Sequence, residues 1–313
     1  MISDIKKAID LLNTGDVIAF PTETVYGLGA DASNEQAVQK IFTTKKRPGF
    51  NPLIVHLLDL SWADTIAYVP QEALPLVNNY WPGPLTIVVP LKEGAPIAPS
   101  VTAGLSTIGL RVPRHPLCRE LLKGYGKPIA APSANASNTL SCTTAAHVRR
   151  SLGQGIYVLE DPASCECGLE STIIDFSTSI PTLLRYGALS LEAIQDYIPS
   201  IKLSTTVEKI KSPGQLKHHY APTLPIRLNA EYPLEKEAFL NFGAPHPKET
   251  LNLSREGNLE KAGSNLFKML HVLDDPNQFY AIAIAPIPNS GIGKAINDRL
   301  IRAATPKSLE ESS

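Results

Sequence analysis

The chain has 313 residues, 43% hydrophobic and 19% charged, enough to bury a substantial core and to form two domains. Its 29 basic and 30 acidic side chains leave a net charge of −1, so no whole-molecule field draws it to nucleic acid or an anionic membrane, and any anion site must be built locally. It contains no apolar run long enough to span a membrane, and Cys118, Cys142, Cys165 and Cys167 are too few and too irregular for a disulfide framework, so a soluble, cytoplasmic protein is expected.

The N-terminal MISDIKKAIDLL places Ile5, Ala8, Ile9 and Leu12 on one helical face. Short apolar runs at 17–20, 53–57, 85–91, 108–112, 128–131, 156–159, 172–176 and 182–186, mostly bounded by Gly, Pro or Asp, predict strands. Between them, Ser33 followed three residues later by Gln36 reads as a capping box opening a helix that carries Ala37, Val38, Ile41 and Phe42. Further helices are predicted at 71–80, 116–123, 144–152 and 191–198, giving a mixed sheet covered by helices. After Ile201 the stretch KLSTTVEKIKSPGQLKHHYAPTLPI has weak periodicity and Pro or Gly punctuation, which predicts a linker. Beyond it, strands at 225–228, 250–253 and 280–285 and a helix at 258–273 suggest a small parallel α/β unit.

Several familiar motifs fail on context. Gly27-Leu28-Gly29-Ala30-Asp31-Ala32 has the G-x-G-x-x-A form of a dinucleotide fingerprint. However, Pro21 to Tyr26 separate it from the preceding strand, and Lys46 and Arg47 stand where a ribose-binding acid belongs. No G-x-x-x-x-G-K-[ST] or H-E-x-x-H is present, and Gly104-Leu105-Ser106-Thr107-Ile108 lacks the second glycine of a nucleophile elbow. Cys165-Glu-Cys167 with Cys142 lacks the paired C-x-x-C arms of a zinc site.

What remains is a set of polar residues at strand ends. Lys45-Lys46-Arg47-Pro48 follows a helix, where its cations would complement the helix dipole and its proline would stop the helix. Asn51 and His56 come next, and a strand histidine taken alone is ordinarily a satisfied core residue. Ala131-Pro132-Ser133-Ala134-Asn135 ends another strand in small hydroxyl and amide groups, and ligands favour such crevices. Gly168-Leu169-Glu170-Ser171-Thr172 and Leu184-Arg185-Tyr186-Gly187 end similarly. Arg111 sits inside an apolar strand and needs an anionic partner.

Taken in order, PTETVYGLG, the K-x-R-P of Lys45 to Pro48, NPLIVH, WPGPLT, APSAN and GLEST resemble the threonylcarbamoyl-AMP synthase family. SPGQLKHHYAP resembles the interdomain linker of the family's long form, with Gln215 where a methionine is frequent, and PIPNSGIGKAINDRLIRAA resembles the end of its C-terminal domain. The resemblance implies an α/β fold: a YrdC-like mixed twisted sheet with helices forming a concave active site, plus a small Rossmann-like C-terminal domain. It divides the chain into a catalytic domain (1–202), a linker or lid (203–224) and a C-terminal domain (225–313).

The implied reaction makes L-threonylcarbamoyl-AMP and pyrophosphate from L-threonine, bicarbonate and ATP. It is the first step toward N6-threonylcarbamoyladenosine in tRNA reading ANN codons, with the product handed to a downstream tRNA threonylcarbamoyl transferase and with weak or no direct tRNA binding. By the same resemblance Lys45 and Arg47 are catalytic. Arg47, Asn51, Thr107, Ser133, Ser141, Arg185 and Tyr220 contact ATP, and Thr24, His56, Arg111, Ala131 and Ser171 hold threonine. Mg²⁺ arrives with ATP, since no acidic cluster has metal spacing. The linker, with His218, His219 and Tyr220 in a row, is expected to close over the nucleotide. Two other functions compete. An RNA-binding module is disfavoured by the neutral charge and by an aromatic content of only 6%. Carbamoyl transfer to another acceptor, as in hydrogenase-maturation proteins, is disfavoured by the absence of their acylphosphatase and zinc-finger segments.

Overall fold

The computed structural model describes residues 2–204, 212–214 and 219–305; Gln215 and His218 lie outside the described residues. The first part of the chain builds α1 (Ile2–Asn13), β1 (Ile18–Phe20), β2 (Gly27–Asp31), α2 (Glu35–Lys45), β3 (Ile54–His56), α3 (Leu74–Tyr80), β4 (Leu85–Pro90), α4 (Pro99–Thr102), β5 (Thr107–Arg111), α5 (Pro116–Tyr125), β6 (Ile129–Ala130), α6 (Ala145–Leu152), β7 (Tyr157–Val158), β8 (Thr172–Asp175), β9 (Thr182–Arg185), α7 (Leu191–Gln195) and β10 (Lys202–Leu203). Its strands form one mixed ten-stranded sheet in the order β10-β9-β8-β4-β5-β3-β6-β2-β1-β7. The remainder contributes β11 (Ile226–Arg227), β12 (Glu237–Asn241), β13 (Leu251–Asn252), α8 (Leu259–Leu273), β14 (Ala281–Ile284) and α9 (Gly293–Ala304), with an all-parallel sheet ordered β11-β14-β12-β13. Among the described residues no helix is long and apolar enough to cross a membrane.

Three local outcomes differ from the sequence reading. The Gly27 to Asp31 stretch is neither a fingerprint nor a loop but a buried strand, antiparallel to β1 on one side and β6 on the other. A Cβ on Gly29 would stand 2.5 Å from Phe20 Cε1 and 2.7 Å from Ile129 Cγ2, so the glycine is there to admit its neighbours' side chains rather than a phosphate. The helix after it is capped by Asn34, whose Oδ1 accepts from the Ala37 N–H at 3.1 Å. Ser33 is drawn instead to Asp31 Oδ1, to which its hydroxyl donates at 2.6 Å, so the capping box does not form. In the second sheet, β12 was not anticipated: the apolar core of EAFLN is only three residues long, yet it lies between β13 and β14.

The two units share an apolar core. Val25, Leu140 and Leu169 from the first pack with Leu240, Leu266, Phe267, Leu270 and Ile296 of the second, and Tyr220 from the connecting segment joins them. Gly168 permits the approach. It has a left-handed φ of 65°, and a Cβ there would fall 2.5 Å from the carbonyl oxygen of Ser264 on α8.

Candidate active site

The sheet gathers Thr24, Arg47, His56, Arg111, Ala131, Ser133, Ser171, Arg185 and Tyr220 around one pocket, with Glu170, Pro213 and His219 completing its wall. These residues are up to 196 positions apart in the chain (220 − 24), and the register explains much of the convergence. His56 on β3 is paired directly with Arg111 on β5, and Ala131 continues β6 beside β3, its N–H donating to the Ile54 carbonyl at 2.9 Å.

Arg111 is buried, and the anion its burial demands is Glu23: Nη2 donates to Oε1 at 2.7 Å, while Nη1 donates to Thr24 Oγ1 at 2.9 Å and Nε to the Gly83 carbonyl at 3.3 Å. Burial would raise the Glu23 carboxyl, but Arg111 and the Arg114 N–H hold it below the usual carboxylate range. Burial, helped by the Arg111 charge, draws His56 down to about 3, so its imidazole stays neutral, and its buried Nδ1 has no partner.

Also in the pocket wall, Arg47 donates from Nε to the Asn51 carbonyl (3.1 Å) and from Nη2 to the Pro52 carbonyl (2.9 Å). Arg185 donates from Nε and Nη2 to the Ser171 carbonyl (3.1 and 2.9 Å), from Nη2 to Ser171 Oγ and from Nη1 to the Pro213 carbonyl. Both guanidiniums are oriented by neutral oxygens, and neither makes an ion pair among the described residues. Burial, reinforced by Arg185, lowers Arg47 to about 9, still protonated at neutral pH.

Four expected site residues stand back from the lining. Lys45 is buried behind the wall, where Nζ donates to the carbonyls of Ser133 (2.5 Å) and Asn135. It is thus not spent on its own helix terminus, where Lys46 takes a left-handed φ of 51°. Burial, with Arg47 adding repulsion, draws Lys45 down to about 7. Ser141 donates from Oγ to Glu170 Oε1 at 2.5 Å, and Asn51 keeps a buried, unpartnered Oδ1. Thr107 begins β5, at the opposite end of the strand from Arg111. The sequence reading did not single out Glu23, Glu170 and Arg299. All three lie inside quoted motifs, but only the packing shows each facing an opposite charge.

The linker supplies one wall. Tyr220, at φ 63°, is buried, stacks on His219 with centroids 3.9 Å apart, and points a hydroxyl with no partner among the described residues toward Gly214 and Arg185. The enclosed free space is about 40 Å³, enough for a few waters.

Residues 10–187 match the family model described as Telomere recombination, and residues 189–305 match Threonylcarbamoyl-AMP synthase, C-terminal domain. The chain is 38% identical to the threonylcarbamoyl-AMP synthase of Bacillus subtilis, over 96% of this chain and 92% of that one. The chain belongs to the threonylcarbamoyl-AMP synthase family. A second family member, from Pyrococcus abyssi, is 35% identical over 96% of this chain and 94% of its own. The crystal structure of P. abyssi Sua5 complexed with L-threonine superposes with a TM-score of 0.87 at 34% identity, covering 96% of this chain and 94% of that one. The two-domain α/β architecture is therefore that of the threonylcarbamoyl-AMP synthases.

Proposed function

We propose that the pocket joins L-threonine, bicarbonate and ATP into L-threonylcarbamoyl-AMP, releasing pyrophosphate. The observation that carries this reading is the pair of guanidiniums in the pocket wall, half-buried Arg47 and buried Arg185, held by neutral oxygens and lacking any carboxylate partner among the described residues: a polyanion completes such a site. The relative crystallised with L-threonine supports threonine as the amino-acid substrate.

Threonine would lie among Thr24, His56, Arg111, Ala131 and Ser171. Arg111 retains a second hydrogen on Nη1 and on Nη2 for the carboxylate, and neutral His56 can bond through its unpartnered Nδ1. ATP would lie toward Arg47, Ser133, Arg185 and Tyr220, with Asn51, Thr107 and Ser141 reached from the second row. The threonine amine and bicarbonate give a carbamate with loss of water. A carbamate oxygen then attacks the α-phosphorus, and the bond to the β-phosphate bridging oxygen breaks, that oxygen leaving with pyrophosphate. Arg47 and Arg185 offset the charge gathering on the leaving group. Lys45 acts one step back, fixing the Ser133 to Asn135 turn through its two carbonyls.

Mg²⁺ enters as part of the ATP substrate. The buried carboxylates beside the pocket, Glu23 and Glu170, are both engaged by arginines, which fits a metal carried on the phosphates. The described part of the connecting segment, Pro213, His219 and Tyr220, covers the pocket as a lid over the nucleotide would. The product would pass, in the cytoplasm, to a transferase acting on tRNA, with little direct tRNA binding by this chain. The test is incubation with Mg²⁺, ATP, bicarbonate and single amino acids, scoring pyrophosphate and the adenylate by mass. Turnover should need bicarbonate and favour threonine over serine by a factor worth about 1–3 kcal/mol. Bicarbonate-independent turnover, or equal turnover with serine, would refute the reading.

A further inference from the structure

The contact between the two units contains a charged cluster that neither substrate half uses. Arg299, on α9 of the second unit, is 1% exposed and heads the largest fully buried side chains among the described residues. It reaches across to the first unit, donating from Nε to Glu170 Oε2 at 2.8 Å and from Nη2 to the Tyr186 carbonyl at 2.8 Å; Nη1 pairs with Asp298 at 2.6 Å. Its guanidinium carbon lies 5.1 Å from the centre of the Tyr220 ring. Glu170 itself is part of the pocket wall, and its other oxygen accepts from Ser141. A carboxylate thus stands in the same pocket wall as Arg185, where it could draw that guanidinium from the Ser171 carbonyl.

We infer that Arg299 is a positioning residue for the nucleotide. By pairing with Glu170 it cancels a negative charge in the wall, leaves Arg185 on the Ser171 carbonyl instead of on Glu170, and backs the ring of Tyr220. The C-terminal unit thereby supplies a group on which ATP binding depends, although none of its described residues lines the pocket. The inference rests on the ATP reading of the pocket given above.

The test is calorimetric titration of the full-length protein with Mg²⁺-ATP and, separately, with L-threonine. Arg299→Met should weaken ATP by about 10- to 100-fold, the range for partners acting through another group, while threonine affinity stays close to wild type. Adding Glu170→Gln to Arg299→Met should restore most of the ATP affinity, because the repelling charge is gone. The single variant should also recover ATP affinity relative to wild type between pH 7.5 and 5.5, as an unpaired buried carboxyl takes up a proton. The groups facing Glu170 are Arg299 and Asp298 from α9, Ser141, Arg185 from β9, and His219 and Tyr220 from the linker; wild type controls for them and for ATP's own titration. Should Arg299→Met not fold, Arg299→Lys and the double variant decide: a folded double variant with near wild-type ATP affinity supports the inference. ATP binding unchanged in Arg299→Met, or equally poor in the single and double variants at both pH values, overturns it and leaves Arg299 a docking residue only. If wild type itself does not bind ATP, the nucleotide reading falls and this inference with it. Normal wild-type binding with an unaffected variant removes this inference alone.

Discussion

Lys45 and Arg47 sit two positions apart and do different work. Arg47 faces the pocket, so Arg47→Ala should lower turnover by about a hundredfold or more, the usual effect of deleting an oriented charge donor, in steady-state pyrophosphate release. If it were only a helix-end cation, turnover would survive and stability would slip by about 0.3–1 kcal/mol. Lys45 faces two carbonyls, and its titration offers a separate handle. Its folded value, about 7, lies below the ordinary lysine value of 10.5, so between these the unfolded chain binds more protons. Stability from this group therefore rises as pH climbs from 7 to 10.5, by up to about 1.4 kcal/mol per unit. Lys45→Met should remove that increment in denaturant unfolding at pH 7 and 9, and should cost about 1–3 kcal/mol for each carbonyl left unpaired. An unchanged pH slope would show that the folded lysine keeps its proton over this range, as the unfolded chain does.

The linker carries the next prediction. Tyr220 is buried against Phe267 of α8 and lines the pocket, with its hydroxyl unpartnered among the described residues. Tyr220→Ala should weaken ATP binding more than threonine binding, as read by calorimetry on the two ligands. Equal losses would make the segment a general packing element rather than a nucleotide lid. The neighbouring strands show how packing overrides local pattern. β2 contains two glycines and reads poorly as a strand, yet Phe20 and Ile129 occupy the space those glycines leave. β12 has too short an apolar core to announce itself and is set in place by β13 and β14 on its two edges.

Across the whole chain, the two units meet through an apolar core and the Glu170–Arg299 pair. Truncation after Leu203 keeps all ten strands of the first sheet, so that part should fold, with Leu140 and Leu169 newly exposed. Adenylate synthesis should fall sharply, since Tyr220 and Arg299 are both lost; full activity in the truncated form would leave the second unit without a role in catalysis. Acid should weaken the intact protein. Glu170, drawn to about 2 from 4.5 because Arg299 and Arg185 outweigh its burial, and His56 and His219, drawn by burial to about 3 from 6.5, all bind fewer protons folded than unfolded. Their stabilising contribution is complete above pH 6.5 and declines below it, with a slope approaching about 1.4 kcal/mol per pH unit for each group titrating. Unfolding free energies at pH 7, 6, 5 and 4 should trace that decline; a flat profile would mean the groups are protonated in the native state at no cost.

Much of this was legible in the residue order. The strands at 85–90 and 107–111 and the helix at 259–273 follow, within a residue, from local periodicity, which acts over a few positions. The family, too, is written in short ordered motifs, each a local string. Partnership is not local. Nothing in PTETVYGLG says that Glu23 will meet Arg111, 88 positions away, and nothing in GLEST says that Glu170 will meet Arg299, 129 positions away. The same holds for Lys45, whose position after a helix suggested dipole compensation until the sheet brought the Ser133 and Asn135 carbonyls to its ammonium. The side chains needing a partner could be recognised one by one, because burying a charge is costly wherever it occurs. Which partner answers each depends on strand register and on the docking of two separately formed sheets, and those exist only once the chain has closed on itself.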